Sequence, residues 1–365
     1  MEDRKVIVKL ENFSKSYGKK EVIKNINLDI YEGEFLTLLG SSGCGKTTIL
    51  RSISGLDEPT KGKVYIDGEE VTHIEARLRK VNTIFQNYAL FPLMTVYDNV
   101  AFGLRMKKVN ESEIKKRVNK MIKLVHLEGY EDRLPKELSG GEQQRVSIIR
   151  GLINNPKVLL LDEPLSALDL KLRKKMQIEL KQLQRKLGLT FIYVTHDQDE
   201  ALSMSDRVVV IRNGNIEQIG TPEEVYEKPN SLYVADFLGE ANVFKGYIKK
   251  IEKDKAIVIT DNNEELLINN NNYTLNDKIN IIIRPENIKL TKNERNNNCI
   301  KGTITNMVYD GYITKIFVKV NNNLYESIIS GNDKQYKTND NIYIYWSLDD
   351  EILIGGKNEK RSKNN

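Results

Sequence analysis

LLGSSGCGKTT, residues 38–48, follows an apolar run at residues 35–39 and leads into residues 47–54, which have the pattern of a helix. Its core fits G-x-x-x-x-G-K-T, in which a loop between a buried strand and a helix turns backbone amides around a polyphosphate. Glycines permit backbone angles and close approaches that a side chain would prevent. Lysine can reach phosphate oxygens, and the threonine hydroxyl can bind Mg²⁺. The sequence therefore predicts a polyphosphate-binding loop made of Gly40, Ser41, Ser42, Gly43, Cys44, Gly45, Lys46, Thr47 and Thr48.

Composition limits the class of protein. The chain has 365 residues, enough for two domains, and its 39% hydrophobic and 29% charged residues are typical of a folded soluble protein. The 56 basic and 51 acidic residues leave a net charge of only +5, too balanced to indicate a nucleic-acid or acidic-membrane partner.

Two cysteines and the N-terminal residues bear on the compartment. Cys44 and Cys299 lack the spacing of a metal site, so we expect a reducing environment. For Cys44, a small residue that fits the loop is a simpler interpretation than a catalytic thiol. Residues 1–5 lack the apolar stretch of a signal peptide, and no run is long enough to span a bilayer. We therefore expect that any work at a membrane depends on other subunits.

Polar side chains follow three further apolar runs that have the length of strands. Residues 158–161 end in Asp162 and Glu163, residues 189–195 are followed by His196, and residues 81–85 by Gln86. The carboxyl ends of parallel strands form the edge where open α/β sheets bind ligands. Asp162 is a candidate to hold Mg²⁺, and Glu163 is a candidate to polarise an attacking water. Gln86 either caps a loop or points at a metal or water.

Residues 138–142, LSGGE, open a helix that continues beyond residue 146. Ser139 and Glu142 form a capping box, which accounts for the start of the helix. Gly140 and Gly141 lower helix stability, and capping does not explain them. Their presence predicts a second anion-binding helix end.

Two aromatic features have more than one interpretation. Tyr17 is either a packed core ring or a flat surface on which a base can stack. Residues 88–92, YALFP, have an exposed character and form a candidate docking loop. Helical patterns follow at residues 95–104 and 111–127, and the second, which is strongly charged on one face, is interpreted as an ordinary solvated helix rather than an interaction face.

The pattern changes near residue 240. From residue 243 onward, short alternating strands are separated by Asn-rich turns, which predicts a small barrel or sandwich. We therefore place one domain at residues 1–240, with a helical subdomain at about 87–156. A β-rich domain follows at residues 241–357, and residues 358–365 are expected to be disordered.

These motifs, taken in chain order, resemble the ATP-binding cassette (ABC) ATPases, and the resemblance covers roughly residues 9–240. Leu-Ser-Gly-Gly is similar to the signature motif of that family, which usually continues with Gln where this chain has Glu142. The resemblance implies an α/β P-loop NTPase domain with a helical subdomain, followed by a small all-β OB-like regulatory domain. It also implies ATP as substrate and Mg²⁺ as cofactor.

The resemblance further implies roles for the matching positions. Tyr17 would stack on adenine, and His196 would contact the γ-phosphate beside the general base Glu163. The metal would be bound by Thr47, Gln86 and Asp162. A second copy of the chain would complete the site in trans through Ser139, Gly140, Gly141, Glu142 and Asp169.

Finer similarities narrow the family to importers at the cytoplasmic face of the cell membrane. Residues 284–288 are similar to a recurring stretch of the regulatory OB-like domain that such importers carry. Residues 81–92, 165–177 and 237–242 are most similar to the branch that imports spermidine and putrescine. The implied partners are two membrane-spanning permease subunits and, indirectly, an extracytoplasmic solute-binding protein, with no nucleic acid. Open alternatives are an importer for iron, sulfate, sugar or glycerol phosphate, and a soluble ABC ATPase that acts on nucleic acid or the ribosome. A catalytically dead nucleotide sensor is disfavoured because Glu163 and His196 are both present.

Overall fold

The computed structural model describes residues 4–295, 298–331 and 335–355. The tail predicted to be disordered, residues 358–365, lies outside the described residues. The chain separates into two compact units, Met1–Glu223 and Glu224–Asn365. The domain boundary expected at residue 240 stays a prediction.

Two sheets organise the first unit. Their strands are, in chain order, β1 (Val6–Tyr17), β2 (Lys20–Tyr31), β3 (Phe35–Leu39), β4 (Lys61–Ile66), β5 (Glu69–Glu70), β6 (Val81–Ile84), β7 (Val158–Asp162), β8 (Thr190–Thr195), β9 (Arg207–Arg212) and β10 (Asn215–Gly220). The smaller sheet is antiparallel, in the order β2-β1-β4-β5. The larger sheet has the order β10-β9-β3-β8-β7-β6. Its adjacent strands run parallel, except that β10 is antiparallel to β9.

The first four helices in chain order follow the predicted helical segments with shifts at their ends. They are α1 (Lys46–Ser54), α2 (Val96–Met106), α3 (Glu111–Leu124), α4 (Gly140–Leu152), α5 (Leu170–Leu187), α6 (Gln198–Met204), α7 (Pro222–Glu227) and α8 (Leu232–Phe237). Side chains at the first position before the helix cap α2, α3, α4, α5, α6 and α8 by accepting a hydrogen bond from a backbone amide. Across the described ranges, no helix combines the length and the apolar character that membrane crossing requires.

Three apolar clusters hold the first unit together. One fills the space between the two sheets and includes Phe13, Leu38 and Ile192. A second covers the other face of the larger sheet, where Phe35 and Phe191 pack with Leu180 of α5. The third joins α2, α3 and α4, which form the helical subdomain. Strand β3 is buried along its whole length, so the phosphate loop starts from a rigid support.

The second unit is built from antiparallel strands: β11 (Asn242–Glu252), β12 (Lys255–Thr260), β13 (Glu265–Asn269), β14 (Lys278–Ile283), β15 (Lys289–Thr291), β16 (Cys299–Tyr309), β17 (Ile313–Val320), β18 (Asn323–Ser330), β19 (Asn341–Tyr345) and β20 (Ile352–Gly355). They form two five-stranded sheets, β13-β12-β11-β14-β20 and β15-β19-β16-β17-β18. One apolar core takes residues from both sheets, including Phe244, Ile304 and the lone Trp346. The alternating pattern therefore predicted the architecture of this unit correctly.

Candidate functional site

The larger sheet brings the predicted polar residues to one edge. Leu39, the last residue of β3, lies opposite Thr195, the last residue of β8, and Asp162 at the end of β7 lies opposite Val194. Because these strands are parallel, Gly40, Glu163 and His196 all begin loops at the same edge. Strand β6 pairs with β7 and ends two residues before Gln86, which joins the same group. The strand ends therefore bring these polar residues to one edge of the sheet.

The phosphate loop depends on two glycines for different reasons. A Cβ atom on Gly40 would lie 2.5 Å from the Ile211 carbonyl oxygen and 2.6 Å from the Cys44 sulfur. Gly45 has a φ of 112°, and a Cβ there would collide with the Ile23 side chain. Both positions therefore exclude a side chain, one by contact alone and the other by contact and backbone angle.

The side chain of Lys46 folds back against the start of the phosphate loop. Its side chain is 5% exposed, and Nζ donates to the carbonyl oxygens of Gly40, at 2.7 Å, and Ser41, at 3.1 Å. The ammonium is thus held by the backbone of the loop rather than by a carboxylate. A polyphosphate in the loop would meet a fixed positive charge at its base.

The start of α1 is the one long helix start that lacks a side-chain cap in the described part of the first unit. Gly45 supplies no acceptor, and no acidic residue lies in the first turn. The amides at a helix N-terminus need partners, and the helix dipole makes that end positive. An anion in the loop would satisfy both requirements, so the loop fits a polyphosphate.

Thr47 and Asp162 form a possible cation site. The Thr47 hydroxyl donates to Asp162 Oδ1 at 3.0 Å. Burial raises the pKa of the Asp162 carboxyl, the neighbouring Glu163 raises it further, and the Thr47 hydrogen bond and the charges of Lys46 and Arg51 oppose the rise. Hydroxyl and carboxylate oxygens are the donors that Mg²⁺ prefers, and a cation would offset the cost of the buried charge. In the described ranges, no group of three or more His, Cys, Asp or Glu side chains is arranged to hold a metal ion. A Mg²⁺ site here would therefore use phosphate oxygens as well.

Glu163 is the centre of a hydrogen-bonded group next to that pair. Its Oε1 lies 3.1 Å from His196 Nδ1, and Gln86 Nε2 lies 3.5 Å from its Oε2. Gln86 Nε2 also donates to the Ser166 hydroxyl at 3.2 Å, and that hydroxyl donates to the Glu163 carbonyl oxygen at 2.9 Å. Glu163 has a φ of 45°, in the left-handed region. Strain of this kind is found at functional sites, where the surrounding contacts fix it.

Tyr17 lies at the end of β1 with its ring 47% exposed. Its hydroxyl donates to Asp57 Oδ2 at 2.8 Å, and Arg51 Nε donates to the same oxygen at 2.7 Å. Lys15 Nζ lies 5.0 Å from the centre of the ring. The exposed ring fits the stacking interpretation better than the core interpretation, because a core ring would be buried.

The segment that is similar to the signature motif, residues 138–142, is called the signature segment below. The polar groups of Ser139 and Glu142 within it are hydrogen-bonded to each other. The backbone amide and the hydroxyl of Ser139 both donate to Glu142 Oε2 at 2.7 Å, and the Glu142 amide donates to the Ser139 hydroxyl at 3.4 Å. Burial raises the pKa of the Glu142 carboxyl, but the hydrogen bonds from Ser139, together with a hydrogen bond from Tyr130 and the charge of Arg133, outweigh it, and the net shift is downward. In the described ranges, no hydrogen bond or ion pair links this segment with the phosphate loop.

The paired glycines have a packing role that the sequence interpretation lacked. A Cβ on Gly140 would lie 3.2 Å from a methyl group of Leu168, and one on Gly141 would lie 3.1 Å from Leu172. Helix α4 thus approaches the start of α5 closely, and a larger residue at either position would require the facing leucine side chain to shift. Asp169 caps α5 by accepting a hydrogen bond from the Leu172 amide at 3.0 Å. The structure therefore gives Gly140, Gly141 and Asp169 a role inside one chain.

The candidate docking loop is only partly exposed. Tyr88 is 7% exposed, so the expectation of an exposed aromatic is wrong for this residue, whose backbone carbonyl accepts from Arg150 at 2.8 Å. Phe91 is 36% exposed, and Leu93 is 92% exposed. A groove of about 310 Å³ beside the loop is lined by residues that include Phe85, Ala89, Phe91, Phe102, Gly103 and Arg150.

Several residues at the site were missed by sequence analysis. Arg51 and Asp57 hold Tyr17, and Ser166 bridges Gln86 and Glu163. The contacts of Tyr17 with Asp57 and of Gln86 with Ser166 join residues that are far apart in the chain, so no local pattern marks them. Cys44 is buried, and burial raises the pKa of its thiol. That environment favours the interpretation of Cys44 as a packing residue.

Comparisons with known proteins cover both units. A family model described as ABC transporter matches residues 23–166, and one described as TOBE domain matches residues 281–354. The spermidine/putrescine import ATP-binding protein PotA of Legionella pneumophila strain Philadelphia 1 is 46% identical over 356 residues, covering 95% of this chain and 98% of the relative. The protein of the same name from Vibrio cholerae is 50% identical over 318 residues, covering 87% of this chain and 84% of the relative.

Solved structures match about three fifths of the chain. A dimeric post-hydrolysis state of the ATP-binding cassette MJ0796 with ADP and Pi shares 38% identity at a TM-score of 0.53, covering 59% of this chain and 99% of that one. The cbiO1 protein of Clostridium perfringens, part of the ABC transporter complex cbiONQ, shares 33% identity at a TM-score of 0.57. It covers 60% of this chain and 90% of that one.

Proposed function

The chain belongs to the ATP-binding subunits of ABC importers, which are ATPases, and we propose that it powers the uptake of spermidine and putrescine. The observation that carries the proposal is the 46% identity to a spermidine/putrescine import ATP-binding protein over 98% of that relative's length. The similarity extends over both units, so it includes the C-terminal β domain as well as the motifs that all ABC ATPases share.

In the proposed site, the chain binds MgATP with the residues around the phosphate loop. Tyr17 would stack on adenine, and the amides of residues 40–48 would surround the phosphates above Lys46. When bound next to Thr47, Gln86 and Asp162, Mg²⁺ would neutralise phosphate charge during the reaction. The contact between the Thr47 hydroxyl and Asp162 Oδ1, at 3.0 Å, supports this assignment.

Glu163 is proposed as the general base. Its carboxylate would accept a proton from the attacking water, and Gln86 and Ser166 would hold it in position through their contacts. The hydrogen bond between His196 and Glu163 requires a proton on Nδ1 when the carboxylate is ionised. A His196 ring that also donates to a phosphate through Nε2 would be doubly protonated, which adds positive charge where the phosphate carries negative charge.

A second copy of the chain is proposed to complete the site. Ser139, Gly140, Gly141 and Glu142 at the start of α4 would contact ATP held by the partner's phosphate loop, and Asp169 would bridge the same interface. A dimeric solved structure of a related cassette supports this assembly. ATP that binds only the closed dimer would shift the population towards it, and hydrolysis would release it.

The proposed location is the cytoplasmic face of the membrane, with two permease subunits as partners. The partly exposed Phe91 and the groove beside Arg150 support a docking role for residues 86–92, because exposed apolar grooves are typical of interaction sites. The import reaction would depend indirectly on an extracytoplasmic solute-binding protein that delivers the polyamine.

Reconstitution tests the proposed substrate. The chain, its permeases and its binding protein would be placed in proteoliposomes, and phosphate release would be measured with the binding protein loaded with spermidine or putrescine. We expect polyamine-loaded protein to stimulate ATP hydrolysis. Stimulation by iron, sulfate, sugar or glycerol phosphate instead would assign a different solute, and no stimulation by any loaded protein would contradict the importer role.

A second test addresses the general base and the dimer together. Glu163→Gln is expected to slow phosphate release by at least ~10²-fold, because general-base catalysis contributes factors of that size. MgATP binding should persist, and the variant should accumulate as a dimer in analytical ultracentrifugation. Lys46→Ala is the control, since it should lose nucleotide binding and stay monomeric. A Glu163→Gln chain that hydrolyses ATP at the normal rate would refute the role of this carboxylate.

A further inference from the structure

Arg173 joins two loops of the candidate site. It lies in the first turn of α5, where its side chain is 26% exposed. Nη1 lies 3.3 Å from Asp197 Oδ2, and Nη2 donates to the Leu168 carbonyl oxygen at 3.0 Å. One planar guanidinium therefore contacts the residue after His196 and the residue before Asp169.

Through Asp197, Arg173 is connected with the backbone on either side of His196. Its amide donates to the Thr195 hydroxyl at 3.0 Å, and its Oδ1 accepts from the Glu200 amide at 3.1 Å. Asp197 is thus fixed to the end of β8 and to the start of α6. His196 lies between these two attachments, with Nδ1 at 3.1 Å from Glu163. A shift of Asp197 would change the position of the imidazole relative to the carboxylate.

Through Leu168, Arg173 is also connected with the signature segment. A Cβ on Gly140 would lie 3.2 Å from the Leu168 side chain, so α4 rests against this residue. The Leu168 carbonyl precedes Asp169, whose carboxylate caps α5. Arg173 therefore connects the region proposed to meet the second copy with the pair proposed to carry out hydrolysis in its own chain.

One N–H group of the Arg173 guanidinium has no acceptor in the described part of the chain. This group is Nε–H, and it is buried. A buried donor without a partner is unfavourable, and proteins retain such groups where strain or rearrangement has a role. The present contacts therefore do not satisfy every donor of the guanidinium. A rearrangement of the loop that contains Leu168 and Asp169, called the Asp169 loop below, could provide the missing acceptor.

We propose that Arg173 is a positioning residue that couples the Asp169 loop to the His196–Glu163 pair, so that engagement of the second copy at Asp169 sets the geometry of hydrolysis. The inference rests on the proposed ATP-bound dimer. Arg173 touches neither the nucleotide nor the attacking water, and it acts through Asp197 and the Leu168 carbonyl. A lysine cannot replace it, because a single ammonium lacks the two-pronged geometry of a guanidinium.

The first experiment separates binding from turnover. Arg173→Ala should lower kcat by about 10-fold, within the range reported for residues that modulate coupling between sites. The affinity of the monomer for a fluorescent ATP analogue should change by less than about twofold, because the phosphate loop is untouched. Arg173→Lys should not restore kcat. Equal losses in affinity and kcat would show instead that Arg173 maintains the fold of the nucleotide site, which would overturn the proposal.

Arg207→Ala is the matched control. Arg207 also pairs with a carboxylate, Glu34 at 3.1 Å, and also donates to a carbonyl, Asp29 at 3.1 Å. Its side chain is 20% exposed, close to the value for Arg173, and it lies at the opposite end of the sheet's strands. This variant should lower the melting temperature and leave kcat unchanged. If both variants lower kcat in proportion to their loss of stability, Arg173 has only a structural role.

A double-mutant cycle tests the route of the coupling. Asp197→Asn keeps an oxygen that can cap α6 but removes the charge that Arg173 binds. If Arg173 acts through Asp197, the double variant should have the kcat of Arg173→Ala alone. Multiplicative losses would exclude this route.

Dimerisation separates failure of this inference from failure of the proposed dimer. In a Glu163→Gln background, the Arg173→Ala chain should still dimerise with MgATP. If Glu163→Gln alone does not dimerise, the proposed dimer is refuted rather than the role of Arg173.

Discussion

Two helices of the first unit have glycines at their N-terminal ends, and they differ in what satisfies their first backbone amides. Helix α1 begins after Gly45, which offers no side-chain acceptor, and its first turn contains no acidic residue. Helix α4 begins after Ser139, whose hydroxyl accepts from the Glu142 amide while Glu142 accepts from the Ser139 amide. The first helix end is open to an anion, and the second is already satisfied by its own chain.

This difference suggests an order of events at the proposed site. The uncapped end of α1 gains a partner as soon as a polyphosphate binds, so nucleotide binding to one chain needs no second copy. The Ser139 hydroxyl must give up Glu142 before it donates to a phosphate. Engagement of the second copy would therefore compete with an existing hydrogen bond, which makes closure weaker than nucleotide binding and easier to reverse.

The largest expected effect comes from filling the open helix end. Gly45→Ala would force a side chain onto a φ of 112° and against Ile23. We expect MgATP affinity to fall by at least ~10²-fold, because the strain of about 1–2 kcal/mol adds to the collision. Titration with a fluorescent ATP analogue measures the loss. Gly188→Ala is the control, since Gly188 has a φ of 62° with open space around it. Normal ATP affinity in Gly45→Ala would refute the importance of this geometry.

An intermediate effect is expected from the capped end. Ser139→Ala should lower turnover by ~10-fold or more, because a hydrogen bond to a charged group contributes about 1.5–3 kcal/mol. ATP affinity of the monomer should not change. The lost cap alone would cost about 1 kcal/mol of stability. Ser231→Ala removes a similar cap, the one at the start of α8, and should leave turnover unchanged. Equal turnover in the two variants would mean that Ser139 serves only as a cap.

Sequence analysis predicted the open helix end more completely than the capped one. The phosphate loop lies within one continuous stretch, and the strand ends that carry Asp162, Glu163 and His196 follow buried runs whose parallel pairing could be inferred. Gly140 and Gly141 were assigned only to anion binding, because their contacts with Leu168 and Leu172 depend on how α4 packs on α5. The same limit applies to Tyr88 and to the Arg173–Asp197 pair. Contacts between distant segments leave no period or spacing in the sequence.

The smallest expected effect concerns the charge at the capped end. The pKa of Glu142 is lowered from 4.5 in the folded chain, so its stabilising contribution is present above the unfolded value and is lost as the pH falls through the folded value. Glu142→Gln keeps an acceptor for Ser139 but cannot titrate. At pH 7 the two chains should differ by less than about 0.5 kcal/mol, as exposed charges do.

Hydrogen exchange in the first turn of α4 resolves such a small change. As the pH falls from 7 to below 4, through the lowered pKa of Glu142, protection factors of residues 140–146 should fall more in the wild-type chain than in Glu142→Gln. Helix α3, whose cap Asn110 has no charge, should show no difference between the two chains and serves as the internal control. If residues 140–146 lose protection equally in both chains, the carboxylate is not what holds Ser139. The carboxylate would then not oppose engagement of the second copy.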